Sequence, residues 1–149
     1  MRLFLAAVLL VAAETAAFAC SCIRPSSPEE VQRLAREVST GGVALVEVEV
    51  LAPYDMRRGR GEQMRVRRTL AGRAAGSFEV ERLNFPSSAS CDLEFTRGQR
   101  VTLILYPPQR QVRTRTPRYR ISGLCTAHLM DEPRFRATVQ RRIGGPRRG

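Results

Sequence analysis

Four cysteines carry the chain's most distinctive spacing: Cys20 and Cys22 flank a single serine, Ser21, and Cys91 and Cys125 lie far downstream. Thiols pair with one another, hold metals or cycle in redox exchange. Zinc sites usually join cysteines separated by two to four residues, and no C-x-x-C occurs here, so neither a metal of the protein's own nor thiol redox chemistry is expected. Disulfides are the default for an even number of cysteines in an oxidising compartment. In extended backbone the Cα atoms of Cys20 and Cys22 stand about 6.6 Å apart, near the upper limit for a bridge, so each is expected to reach a distant partner. Spacing alone leaves three pairings open. His128 is the single histidine, and no G-x-S-x-G surrounds any serine. A Cys/His or Ser/His/Asp set would have to rest on His128 alone, so the chain does not read as an enzyme and calls for no cofactor.

The second candidate chemistry is anion binding. Arg57-Arg58-Gly59-Arg60 forms one cluster, and Arg110, Arg113, Arg115 and Arg118 form another. Of these, Arg57, Arg58, Arg60, Arg113 and Arg115 are the anion-binding candidates. Planar guanidinium groups bind carboxylates, sulfates and phosphates through paired hydrogen bonds. Aromatic side chains for base stacking are few near these clusters: Tyr54, Tyr106 and Tyr119, with no tryptophan. Nucleic acid is therefore a poor fit.

All 25 basic residues are arginine, against 14 acidic ones, for a net charge of +11. Such a balance favours anionic partners, whereas the absence of lysine also follows from GC-rich coding. With 149 residues and 43% apolar content, the chain fits one domain with its own core and excludes intrinsic disorder.

The start reads as a signal peptide. Arg2 supplies positive charge, Leu3 to Ala13 are apolar without interruption, and Ala17-Phe18-Ala19 place small residues at the cleavage positions before Cys20. At ~1.5 Å per residue the apolar run reaches only about half of a ~30 Å hydrocarbon core, and no later segment is apolar enough to span one. The expected organisation is a signal peptide over 1–19, one domain over 20–143 and a basic flexible tail over 144–149. The mature protein would be periplasmic or secreted. A lipid anchor on Cys20 is the alternative, although Ala17 and Phe18 depart from the usual leucine and small residue before a lipidated cysteine.

Within the mature chain, Ser27-Pro28-Glu29-Glu30 predicts a helix start, with Ser27 as N-cap, Pro28 at the first position and Glu30 closing a capping box. Val31, Leu34, Ala35 and Val38 continue it at helical spacing until Gly41-Gly42. Five strands are expected: Val43–Leu51, Met64–Leu70, Phe78–Leu83, Arg100–Tyr106 and Arg118–Ser122. Asp131 is read as the cap of a last helix running to Ile143. Five short strands between two helices suit a small closed barrel, because closure removes exposed edges.

These motifs together resemble the N-terminal domain of the tissue inhibitors of metalloproteinases and the wider netrin-like module. Cys20-Ser21-Cys22 after a cleavage site is similar to that family's opening. Ser87-Ser88-Ala89-Ser90-Cys91, then Leu93, Phe95, Gly98 and the run Val101 to Leu105, resembles its third cysteine and following strand. Ile121 to Cys125 and the helix after Asp131 resemble its fourth cysteine and final helix. The resemblance implies a mainly β fold, a five-stranded OB-type barrel with Cys20 bonded to Cys91 and Cys22 to Cys125. The third disulfide and the second domain of the animal inhibitors are missing. It further implies that the free amino group and carbonyl of Cys20 chelate a target peptidase's zinc, that Ser21 enters the specificity pocket, and that Cys22, Ser87, Ser88, Ala89 and Ser90 complete the contact ridge. Netrin-like modules also occur in proteins that inhibit nothing. The competing expectation is an exported binding module whose arginine loops meet anionic polysaccharide, lipid head groups or an extracellular protein.

Overall fold

Ser27 opens the first helix, its hydroxyl accepting from the amide of Glu30 at 3.2 Å. Pro28 follows at the first position, where its missing N–H costs nothing. In this computed structural model, which describes Cys22 and residues 25–82, 93–109 and 114–145, helix α1 runs Pro28–Ser39. The expected capping box is displaced by one residue. The Glu30 carboxylate turns to the amide and hydroxyl of Ser26, at 2.7 and 3.0 Å, rather than to the amide of Ser27. Those Ser26 bonds, the amide first, hold the Glu30 carboxyl below the usual carboxylate range.

Five strands follow, β1 Ala44–Ala52, β2 Gln63–Gly72, β3 Ser77–Val80, β4 Arg100–Tyr106 and β5 Arg118–Ile121, and then helices α2 Leu124–Leu129 and α3 Pro133–Gly144. The sheet closes in the order β1-β2-β3-β5-β4. Strands β3 and β5 run parallel and every other pair is antiparallel, as in an OB-type barrel. The domain is therefore mainly β, as expected.

The alternation of β1 explains closure. Ala44, Val46, Val48 and Val50 point into the barrel with Met64, Phe78, Val80, Leu103 and Leu105, whereas Glu47 and Glu49 stay at its outer surface. Near the start of β1 the outer face is buried too. Leu45 and Ile104 lie beneath the helices with Ala35, Met130, Phe135 and Val139, and α1 packs on α3 there. A fully buried Phe78 or Phe135 side chain contributes about 1.5–3 kcal/mol. At Gly72 the backbone has φ 73°, and a Cβ would stand 2.1 Å from the carbonyl oxygen of Val43, so β2 ends on the one residue type that permits this approach.

Three expected boundaries are corrected. Strand β3 stops at Val80; the Glu81 amide still donates to the Tyr119 carbonyl at 2.8 Å, and the Glu81 carboxylate accepts from the amide of Gln109 at 2.7 Å. Leu83 lies outside the described residues. Helix α3 is capped by Glu132, which accepts from the amide of Phe135, and not by Asp131. Gly144 is the last residue of α3 and Gly145 caps it, so the helix ends one residue beyond the expected Ile143; residues 146–149 lie outside the described residues. Helix α2, which carries Cys125 and His128, was not expected. None of the described helices is long and apolar enough to cross a membrane.

Candidate functional site

Cys22 is bonded to Cys125, with Cα atoms 5.1 Å apart, across 103 residues of sequence. Cys125 sits in the first turn of α2, and the start of that helix is itself held to the barrel. Ser122, buried just before it, donates its amide to the Ile104 carbonyl at 3.1 Å and accepts the Ile104 amide on its hydroxyl at 3.3 Å. The N-terminal segment is thus covalently tied to an element locked onto β4. Replacing Cys22 and Cys125 together by serine is expected to lower unfolding free energy by about 2–5 kcal/mol, because reduction frees a very long loop in the unfolded chain. Urea titration with m fitted separately for each protein checks it, because the unfolded chain without the cross-link is more expanded; a loss below about 1 kcal/mol would contradict that anchoring role.

Beside the disulfide opens a cleft of about 790 Å3, walled by Pro25 and Val31 on one side and by Leu124, His128 and Leu129 on the other. His128 is exposed on α2, away from any second histidine. Among the described residues no group of three His, Cys, Asp or Glu side chains gathers to hold a metal.

Cys20, Ser21, Ser87, Ser88, Ala89, Ser90 and Cys91 lie outside the described residues, and with them the Cys20–Cys91 bridge. The two described ends of the segment 83–92 meet at one buried ion pair that the sequence reading missed. The Arg82 guanidinium donates from Nε to both Glu62 carboxylate oxygens, at 3.2 and 3.1 Å, and from Nη2 to Oε1 at 2.5 Å. The same Nη2 donates to the Leu93 carbonyl at 2.6 Å. The Glu62 side chain is 2% exposed and that of Arg82 10%. Gly61 makes this possible. A Cβ there would lie 1.8 Å from the Val80 carbonyl oxygen, so glycine lets the chain pass against the end of β3 and drop Glu62 inward.

The arginine candidates separate. Arg57, Arg58 and Arg60 share the tip of the β1–β2 hairpin and are exposed. Arg115 is exposed between β4 and β5, and Arg110 and Arg113 lie outside the described residues. Arg118 is withdrawn into β5, where it pairs with Glu79 at 3.5 Å; Glu79 also accepts from Gln63 at 3.1 Å. Two of the tyrosines near them serve the fold. Tyr119 meets Phe78 edge to face with centroids 5.3 Å apart. Tyr106 donates its hydroxyl to the Val38 carbonyl. Burial pushes the Tyr106 phenol up, with Arg120 opposing, so the group stays protonated and able to donate.

No family model, curated protein or solved structure matches the chain.

Proposed function

We propose that the mature protein is exported and inhibits zinc endopeptidases through a free Cys20 terminus, acting as a binding protein and not as an enzyme. The observation that carries this reading is the Cys22–Cys125 disulfide, which fixes the chain two residues beyond Cys20 to α2 on an OB-type barrel. A catalytic zinc keeps one coordination position open for water or substrate. The α-amino nitrogen and carbonyl oxygen of one residue form a bidentate group that would take that position and add one further ligand, provided the amine is neutral. With a pKa of about 7.7–8.0, a free α-amine releases its proton readily near neutrality. Chain already held in place loses less freedom on docking. In this reading Ser21 enters the pocket that selects substrate side chains, and Ser87 to Ser90, joined through a Cys20–Cys91 bridge, form the rest of the contact ridge.

Carbamylation of the amine tests the reading. The mature protein is expected to inhibit at least one member of a panel of zinc endopeptidases, and the carbamylated form to lose that inhibition with unchanged circular dichroism. Inhibition that survives carbamylation would rule out chelation by the amine.

A further inference from the structure

The β1–β2 hairpin concentrates charge in a way that the terminus does not use. Beyond the barrel rim it ends in an ordered tip. Asp55 and Arg60 bridge through backbone bonds of 3.0 and 3.2 Å, and the Asp55 carboxylate accepts the amides of Arg57 and Arg58 at 3.1 and 3.2 Å. Such a turn holds its arginines in place before any ligand arrives. Along β2 the register with β1 then shifts between Glu47 and Val48. Glu49 stands opposite Arg65, and Glu47 opposite Arg68, so one more residue lies between them on β2 than on β1. This bulge turns Arg67 outward together with Arg65 and Arg68, and all three are exposed.

We propose that the outer face of this hairpin is a docking surface for a linear acidic polysaccharide, read by Arg57, Arg58 and Arg60 at the tip and by Arg65, Arg67 and Arg68 along β2. Six guanidinium groups there face three carboxylates: Asp55 beside Arg58 at 3.7 Å, Glu49 beside Arg67 at 3.2 Å and Glu47 beside Arg68 at 2.7 Å. These ion pairs are exposed and therefore weak, and they exchange readily for an external carboxylate or sulfate. Arg57, Arg60 and Arg65 form no ion pair with any described residue. From Arg60 to Arg68 the array extends about 25 Å at the rise of an extended strand, a line of charge suited to a polymer and longer than a single small anion.

The shape favours a chain over a plane. Strands of a small closed barrel are twisted and coiled, and a bulge adds to the twist, so a flexible polymer can follow the arginines while a flat bilayer touches only part of the row. Single-stranded nucleic acid needs several aromatic faces to stack on, whereas the hairpin carries one aromatic residue, Tyr54, and Tyr106 and Tyr119 are committed within the fold.

The test measures binding of the mature protein to polygalacturonate and to uronate oligomers of increasing length, with phosphatidylglycerol vesicles and single-stranded RNA as rival probes. Affinity for polygalacturonate is expected to rise with oligomer length and to fall about a hundredfold between roughly 50 and 200 mM salt, as for about five neutralised charges. The triple variant Arg65→Gln, Arg67→Gln, Arg68→Gln is expected to bind at least about tenfold more weakly, and so is the tip variant Arg57→Gln, Arg58→Gln, Arg60→Gln. A variant with the same charge removed from α3, Arg134→Gln, Arg141→Gln, Arg142→Gln, is expected to change affinity less than about threefold, since those side chains lie on another element. Circular dichroism confirms that each variant is folded, and the tip variant decides the matter if the strand variant is not. Equal loss in the α3 variant, indifference to oligomer length, or tighter binding to vesicles or RNA at equal salt would overturn the proposal.

Discussion

Replacing Glu62 by alanine is expected to lower the unfolding free energy by about 3–5 kcal/mol, the range for removing one partner of a buried ion pair. The loss comes less from the missing attraction than from the charge left behind. The Arg82 guanidinium is 10% exposed, and without Glu62 it loses the carboxylate that accepts three of its hydrogen bonds. Glu62→Gln keeps oxygen and shape but not the charge, so it is expected to cost less than alanine. The double variant Glu62→Met, Arg82→Met removes both charges and fills the space with apolar atoms. It is expected to be more stable than either single variant, short of the wild type by about 1 kcal/mol for the bond to Leu93. Urea midpoints at constant m provide the comparison. A Glu62→Ala loss under about 1 kcal/mol would mean that the pair behaves as a solvated surface contact.

That pair also marks where sequence reasoning stops. Glu62 follows an arginine-rich turn and precedes Gln63, a context that reads as solvent-exposed chain. Its burial depends on Gly61 passing against the Val80 carbonyl, a tertiary contact with no local signature beyond the glycine itself. By contrast, β1 was legible because Val46, Val48 and Val50 alternate with Glu47 and Glu49, a pattern that only a half-buried strand satisfies. The strand count and the closed barrel followed from such local patterns, yet the parallel β3–β5 contact joins residues about forty apart and leaves no local trace. Apolar Leu83 extends the sequence pattern beyond Glu81 and Arg82, although β3 itself ends at Val80. Helix α2 spans six residues, fewer than two turns, so Leu124 and Ala127 were too few to reveal a period. The cap of α3 was readable. Pro133 at the first helical position points to Glu132, the residue directly before it, and not to Asp131. Among the site residues, Cys22 and Cys125 meet as the family resemblance implied, by a pairing that spacing alone had left open.

The larger expected effect lies at the mature terminus. One alanine added before Cys20 converts its amine into an amide, which has no basic lone pair to offer zinc and places extra atoms where the metal would sit. The bulk of the domain is untouched, since the anchor at Cys22 and Cys125 and the barrel beneath it remain. The decisive measurement is the inhibition constant of the native-terminus protein against the alanine-extended protein, on one zinc endopeptidase that the native form inhibits. The extended form is expected to inhibit more weakly by orders of magnitude with unchanged urea midpoint; equal inhibition by the two forms would rule out chelation through the Cys20 amine.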